Sequence, residues 1–200
     1  MISRYFNKYR WSNIAAMIKN NRRDPKICTK DFRDRLVVIR GATSGIGYQT
    51  ARKFASHGAR LLCINRNEKK SEALKAEIEK DFDVSCEYII ADLSDMKDIY
   101  RTAEKLAEIN IPIDVLIHNA GIHRTTRELT PEGFDKVFAV QHLSSFMINI
   151  LLGEQLKSQG KARIIQVNSE GHRFAAWGLR LDDLNWDKRR YSGLKSYGSA

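Results

Sequence analysis

Cysteine, proline and glycine are all scarce in this 200-residue chain: three Cys, three Pro and 12 Gly. Few glycines and prolines exclude collagen-like and low-complexity chains, and three cysteines are too few for a disulfide scaffold. Cys28, Cys63 and Cys86 are odd in number and lack CxxC spacing, which fits incidental thiols in a reducing compartment. No apolar run approaches the ~20 residues that cross a bilayer, which argues against a transmembrane chain. What remains is an ordinary globular composition, 42% hydrophobic and 29% charged, long enough to bury one sizeable core.

Acidic residues are also missing at one end, where none precedes Asp24. Residues 1–35 hold ten Lys/Arg against three Asp/Glu, so most of the net charge of +10 sits on an N-terminal arm. The rest of the chain is nearly balanced, which speaks against nucleic-acid binding. Ile2, Tyr5, Phe6 and Tyr9 have helical spacing, and Ile14, Met17 and Ile18 continue on a second face. Such a basic amphipathic segment suits peripheral contact with an anionic membrane, organellar targeting, or packing on its own domain or a second subunit. A secretory signal is not expected, because no continuous apolar stretch follows the basic residues.

From Leu36 onward, short apolar runs alternate with amphipathic segments. The runs Leu36–Ile39, Ala59–Ile64, Val84–Ile90, Ile113–Ile117 and Ala162–Val167 read as buried strands. Helical patterns fill the gaps at Ile46–His57, Glu68–Phe82, Asp95–Ile109 and Pro131–Gln159. The last is expected to start from a Thr130 N-cap with Pro131 in the first turn. Strands alternating with helices imply right-handed crossovers, hence an α/β, Rossmann-type doubly wound parallel sheet with helices on both faces. The organisation expected is an arm over 1–35 and one α/β domain over 36–200.

Gly41-Ala42-Thr43-Ser44-Gly45-Ile46-Gly47 follows the first strand and opens the first helix. Glycines there permit a tight turn and a close approach of backbone to a pyrophosphate, which free N–H groups and the helix dipole would hold. This GxxxGxG spacing resembles the cofactor loop of the short-chain dehydrogenase/reductase family. Asn119-Ala120-Gly121 after the fourth strand is similar to that family's NAG motif. Asp92-Leu93 falls where the family contacts adenine, and Ser169 where it places a catalytic serine. The resemblance covers Arg35 to Ala200, and its 191–200 segment looks most like the retinol-dehydrogenase branch.

The resemblance implies a nicotinamide cofactor held by Gly41, Ser44, Gly45, Ile46, Gly47, Asp92, Leu93, Asn119, Ala120 and Gly121. The end of the second strand reads Cys63-Ile64-Asn65-Arg66-Asn67, with no carboxylate until Glu68. An acidic residue there would favour NAD; Arg66 instead offers a planar fork to a 2′-phosphate. NADP is therefore favoured, with NAD left open, and a solvated Arg66 is the alternative. Arg40 either adds positive potential near the phosphates or is solvated.

Proton transfer to a carbonyl needs a phenol whose pKa is brought down from ~10 toward neutrality, about 4 kcal/mol of differential stabilisation. In the family a Lys four residues beyond the Tyr helps to supply it. Tyr191-Ser-Gly-Leu-Lys195 has that spacing, but Ser192 and Gly193 are poor helix residues. Tyr197 matches the family's helix start better and is the expected catalytic residue, with Ser169 polarising the carbonyl. Gln141 aligns with the family's catalytic Asn, and Glu170 stands where a small residue is usual. The five histidines show no metal-ligand spacing; His118 and His123 flank the NAG turn and read as loop or strand-end residues that could line a pocket. Trp177 and Trp186 either shape a substrate pocket or pack.

The family fold continues beyond a Tyr-bearing helix, so the C-terminal strands are expected to be missing and the chain to be a fragment. The function implied is alcohol–carbonyl oxidoreduction on a small-molecule substrate, apolar if the retinol-dehydrogenase likeness holds. A catalytically inactive dinucleotide-binding homologue is the alternative. A homo-oligomer and a cytoplasmic location, with membrane association through the arm left open, complete the expectation.

Overall fold

The computed structural model describes residues 27–175 and 178–200, together with Ala15, Ile18, Lys19, Arg22 and Asp24. The basic segment expected at the N-terminus lies largely outside the described residues, and Trp177 lies wholly outside them.

Five strands form one parallel sheet: β1 (Leu36–Arg40), β2 (Arg60–Asn65), β3 (Cys86–Ile90), β4 (Ile113–His118) and β5 (Arg163–Gln166). Their spatial order is β3-β2-β1-β4-β5. The chain thus builds outward from β1 in one direction, then returns to its other side. The crevice at that reversal is where such sheets take ligands. Every residue of β1 is buried, because helices cover both of its faces. Leu36 and Val38 join one apolar cluster while Val37 and Ile39 join the other, the period-two alternation of a strand. Helices α1 (Gly45–Ala55) and α2 (Glu68–Phe82) seal the second face through Ala51, Ala55, Leu74 and Ile78. Helix α3 (Met96–Ala107) seals the first through Ile99 and Leu106. The doubly wound α/β architecture expected from the alternating runs is the one found.

The fourth helical segment differs from its expectation. Thr130 and Pro131 do not start a helix. Thr130 instead closes a turn, its carbonyl accepting from Gly133 N at 2.9 Å and its Oγ1 from Phe134 N at 3.3 Å. Asp135 is the cap, its Oδ1 accepting from Phe138 N at 3.0 Å. Glycine disfavours a helix interior and aspartate favours its start, so the helix begins beyond both. The segment then runs as α4 (Lys136–Phe138), a π-helical turn (Ala139–Leu143), α5 (Ser144–Leu151) and α6 (Gly153–Ser158). Ile148 and Leu156 face the core, while Phe146, Ile150 and Leu151 lie exposed. A 3-10 turn (Glu170–Ala175) and α7 (Gly193–Ser199) complete the chain. Tyr197 sits inside α7 rather than at its start. Ser192 serves as N-cap, a place that suits serine better than a helix interior does.

Cys28, Cys63 and Cys86 are free thiols, the last two buried. Among the described residues no helix is long and apolar enough to cross a membrane.

Candidate active site

The turn after β1 is fixed from three directions. Gly41, at φ +79°, turns the chain and donates its N–H to Ile64 O at 2.9 Å. Ala42 N donates to Asn65 Oδ1 at 2.8 Å, and Asn119 Nδ2 donates to Gly41 O at 2.8 Å. Gly47 lies beneath this turn, where an added Cβ would overlap Gly41 O and approach Asn119 Nδ2 to 2.5 Å. The first intrahelical bond of α1 runs from Tyr48 N to Ser44 O. The N–H groups of Gly45, Ile46 and Gly47 precede it and have no partner within the helix.

That helix start opens on a cavity of about 820 Å³ lying across the carboxyl ends of β1, β2, β4 and β5. Gly41, Ser44 and Ile46 line it from the turn; Arg66, Asp92 and Leu93 from the far end; Asn119, Ala120 and Gly121 from the loop after β4. Gln141, Ser169 and Tyr197 line the opposite end. Gly45 and Gly47 do not. Gly47 is spent on packing the turn, and Gly45 stands among residues of a shallow groove on the outer side of α1. Twelve of the fourteen residues expected to form the site thus border one space.

Asn65, at 3% exposure, holds the turn with Oδ1 and leaves Nδ2 with no protein partner at the cavity wall. Burial works against the charge of Asp92, but hydrogen bonds from Ser94 and the positive charge of Arg66 outweigh it and hold the carboxyl below its usual range. At the other end, Gly171 N donates to Ser169 Oγ at 3.0 Å, leaving the hydroxyl proton available. A Cβ on Gly171 would come within 2.6 Å of Tyr197 Cε1 and 3.1 Å of Ser169 Oγ, so the absent side chain lets the two groups share one corner. The His123 ring meets the Tyr197 ring edge-on at 5.9 Å. Gln141 bridges this corner, Oε1 accepting from Ile122 N at 3.2 Å and Nε2 donating to Tyr197 O at 3.5 Å. Tyr191 is outside: its hydroxyl reaches Arg124 O at 3.4 Å and its ring packs on Trp186.

A family model described as short chain dehydrogenase matches residues 35–177. The chain belongs to the short-chain dehydrogenase family. It is 35% identical over 164 residues to human retinol dehydrogenase 13, covering 80% of this chain and 48% of that protein. It is 32% identical over 177 residues to the WW domain-containing oxidoreductase of Danio rerio, covering 86% of this chain and 43% of that one. Among solved structures, a metagenomic short-chain oxidoreductase in complex with NADP superposes with a TM-score of 0.63 at 26% identity. That match covers 71% of this chain and 66% of the other. The chain spans about half the length of the curated relatives it matches.

Further residues border the cavity besides those expected to form the site. Asn65 was visible only as the residue before Arg66, since nothing in a single sequence shows that its amide folds back on the glycine turn. His118 and His123 both border the cavity, as does His172, whose Nδ1 lies 3.1 Å from Ser169 O. Arg40 is neither solvated nor part of the cavity lining; it is wholly buried. Among the described residues no cluster of His, Cys, Asp and Glu is disposed to hold a metal ion.

Proposed function

We propose that this chain is the dinucleotide-binding and proton-transfer part of an NADP(H)-dependent oxidoreductase that interconverts an alcohol and a carbonyl. One observation carries the reading: a single cavity joins the N–H groups that begin α1, which have no partner within the helix, to the corner shared by Ser169 and Tyr197. The residues present suit a dinucleotide. Gly47 lets the turn close tightly over the helix start, and the orphan Nδ2 of Asn65 is a buried donor in need of an acceptor. The bound cofactor would supply or accept the hydride.

Gly41, Ser44, Gly45, Ile46 and Gly47 would present the turn and helix start to the diphosphate, Gly45 through its backbone alone. Asp92 and Leu93 would border the adenine, and Arg66 would face the 2′-phosphate with its guanidinium fork. Asn119, Ala120 and Gly121 would form the floor of the ring pocket. Ser169 would donate its hydroxyl proton to the substrate oxygen, a role left open by the Gly171 N–H on its lone pair. Tyr197 would give or take the proton as the oxygen gains or loses charge. Gln141 would hold the corner between the NAG turn and the tyrosine helix.

A substrate with an apolar body follows from the likeness to retinol dehydrogenases. The exposed Phe146, Ile150 and Leu151 support a homo-oligomer paired along α5. A cytoplasmic location and the division into an arm (1–35) and a domain (36–200) belong to the same proposal. A second reading, dinucleotide binding without turnover, is favoured by Gln141, whose amide is already engaged with Ile122 and Tyr197.

Titrating the full chain with NADPH and NADH, followed by nicotinamide fluorescence, tests the proposal. Saturable enhancement that is stronger with NADPH supports it, and subsequent reduction of a long-chain aldehyde separates the two readings. No change with either nucleotide overturns both.

A further inference from the structure

Arg40 closes β1 one residue before the glycine turn, and its side chain is 0% exposed. Removing a guanidinium from water is costly unless its donors and its charge are answered. Among the described residues, no carboxylate bonds to it. Neutral acceptors on three other elements, β4, the π turn and α5, take the protons of its two Nη groups instead, while Nε has no protein partner. Nη1 meets His118 Nδ1 at 2.6 Å and donates to Ser145 Oγ at 2.7 Å. Nη2 donates to the Val140 carbonyl at 3.2 Å and to Ser144 Oγ.

These contacts fix two things at once. Arginine has no acceptor, so His118 Nδ1 must be the bare nitrogen of its ring. The ring proton is then on Nε2, where it donates to Asn149 Oδ1 at 2.8 Å. The second consequence concerns the π turn. Ser144 N reaches back five residues to Ala139 O, skipping the Val140 carbonyl that an α-helix would have used. That carbonyl is answered by side chains: Ser144 Oγ at 2.6 Å and Arg40 from the neighbouring strand. The next residue in the turn is Gln141, whose own carbonyl accepts from Ser145 Oγ at 3.1 Å.

We propose that Arg40 is a positioning residue, a buried clamp that fastens the π turn to β1 and β4 and thereby sets the direction in which Gln141 enters the cavity. A lysine could not do the same, because one ammonium cannot reach both the imidazole of His118 and the carbonyl of Val140 in the geometry of a guanidinium fork. The clamp deepens the proposed function by assigning the residue that orients Gln141, and rests on it only for the meaning of that orientation.

The tests use the full 200-residue chain and need no turnover. In the wild type, imidazole nitrogen NMR should show His118 Nδ1 unprotonated and Nε2 protonated at pH 7. A proton on Nδ1, or a charged ring at that pH, overturns the clamp without any substitution. In Arg40→Met, amide exchange over 139–145 should rise about tenfold or more while β2 amides stay within about threefold, because the loss is local. The side-chain amide signal of Gln141 should move in the same variant and stay in place in the surface control Lys53→Met, whose side chain is exposed. Arg40→Lys should keep the charge yet leave 139–145 as exposed to exchange as Arg40→Met does. Uniform loss of protection in the variants, or none, overturns the proposal. If Arg40→Met fails to fold, the wild-type tautomer and Arg40→Lys decide it. NADPH titration of the wild type stands apart: failure to bind, with the exchange pattern intact, removes the proposed function and leaves the clamp.

Discussion

The side-chain amide of Asn119 donates to the carbonyl oxygen of Gly41 across 78 positions of sequence, at 2.8 Å. The loop after β4 thus holds the turn after β1 in place, and Gly47 fills the space underneath with no side chain of its own. Gly47→Ala should force the two loops apart. The expected result is loss of about 2–3 kcal/mol of stability, as for other overpacked sites, and at least about a tenfold weakening of NADPH binding. Urea unfolding and a fluorescence titration measure the two effects. Asn119→Ala should do less, about 1–2 kcal/mol, because it removes a hydrogen bond without adding bulk.

Arg66 is set beside Asp92 at the far end of the cavity, where its charge helps to keep that carboxyl ionised. Arg66→Ala should weaken NADPH by about tenfold or more while NADH changes little, since only the former carries the phosphate that a charged donor would bind. Raising the salt concentration should narrow the wild-type preference for the same reason. Equal weakening of both nucleotides would show that Arg66 acts on the fold instead.

Tyr197→Phe and Ser169→Ala each remove one hydroxyl from the corner that Gly171 keeps open. Either should lower carbonyl reduction by roughly 10²-fold or more while leaving NADPH affinity within about threefold. Tyr191→Phe should leave the rate unchanged, because that phenol points to the Arg124 carbonyl and away from the cavity. Steady-state rates beside binding titrations separate the two tyrosines.

His118 is 3% exposed, and burial together with the Arg40 charge pushes its pKa down to about 4 from 6.5. The unfolded chain takes up the proton between those two values while the folded chain does not. Stability should therefore be flat above pH 6.5 and fall as the pH drops toward 4, by roughly 3 kcal/mol from this residue alone. Carboxylates titrate in the same region, so the quantity to compare is the difference between wild type and His118→Asn in urea melts at several pH values. A difference that does not depend on pH would mean that folding leaves the His118 pKa where it stands in the unfolded chain.

Much of this arrangement was legible from local pattern. The five apolar runs mark the strands within two residues at each end. β1, β2 and β4 are covered on both faces and read as near-continuous Val, Ile and Leu. β5, expected to be buried, is instead an edge strand with Arg163, Ile164 and Gln166 exposed. Glu68–Phe82 matches its helix at both ends, where Asn67 accepts from Lys70 N and Asp83 adopts the left-handed conformation. The glycine turn was visible through its spacing and its place after the first strand, and the NAG segment through its family resemblance. What could not be seen were long-range bonds made by polar side chains. Arg40 has the appearance of a surface residue in any single sequence, and its burial depends on partners 78 to 105 positions away. The π turn around Gln141 is hidden for the same reason: its Val140 and Gln141 carbonyls accept from the side chains of Arg40 and two serines. Thr130 reads as the helix cap, but a turn closed at Gly133 takes up its carbonyl and moves the helix start to Asp135.

Placing the earliest strand in the middle of the sheet has a consequence for biogenesis. β1 pairs with β2 at once, but its other flank waits for Ile113–His118 to emerge from the ribosome. Until then Leu36, Val38 and the Arg40 guanidinium lack their partners, and the nascent half-sheet presents an unpaired, strongly apolar rim. Closure of the cavity is therefore a late event in synthesis, and the interval before it is when chaperone capture or aggregation would compete most strongly.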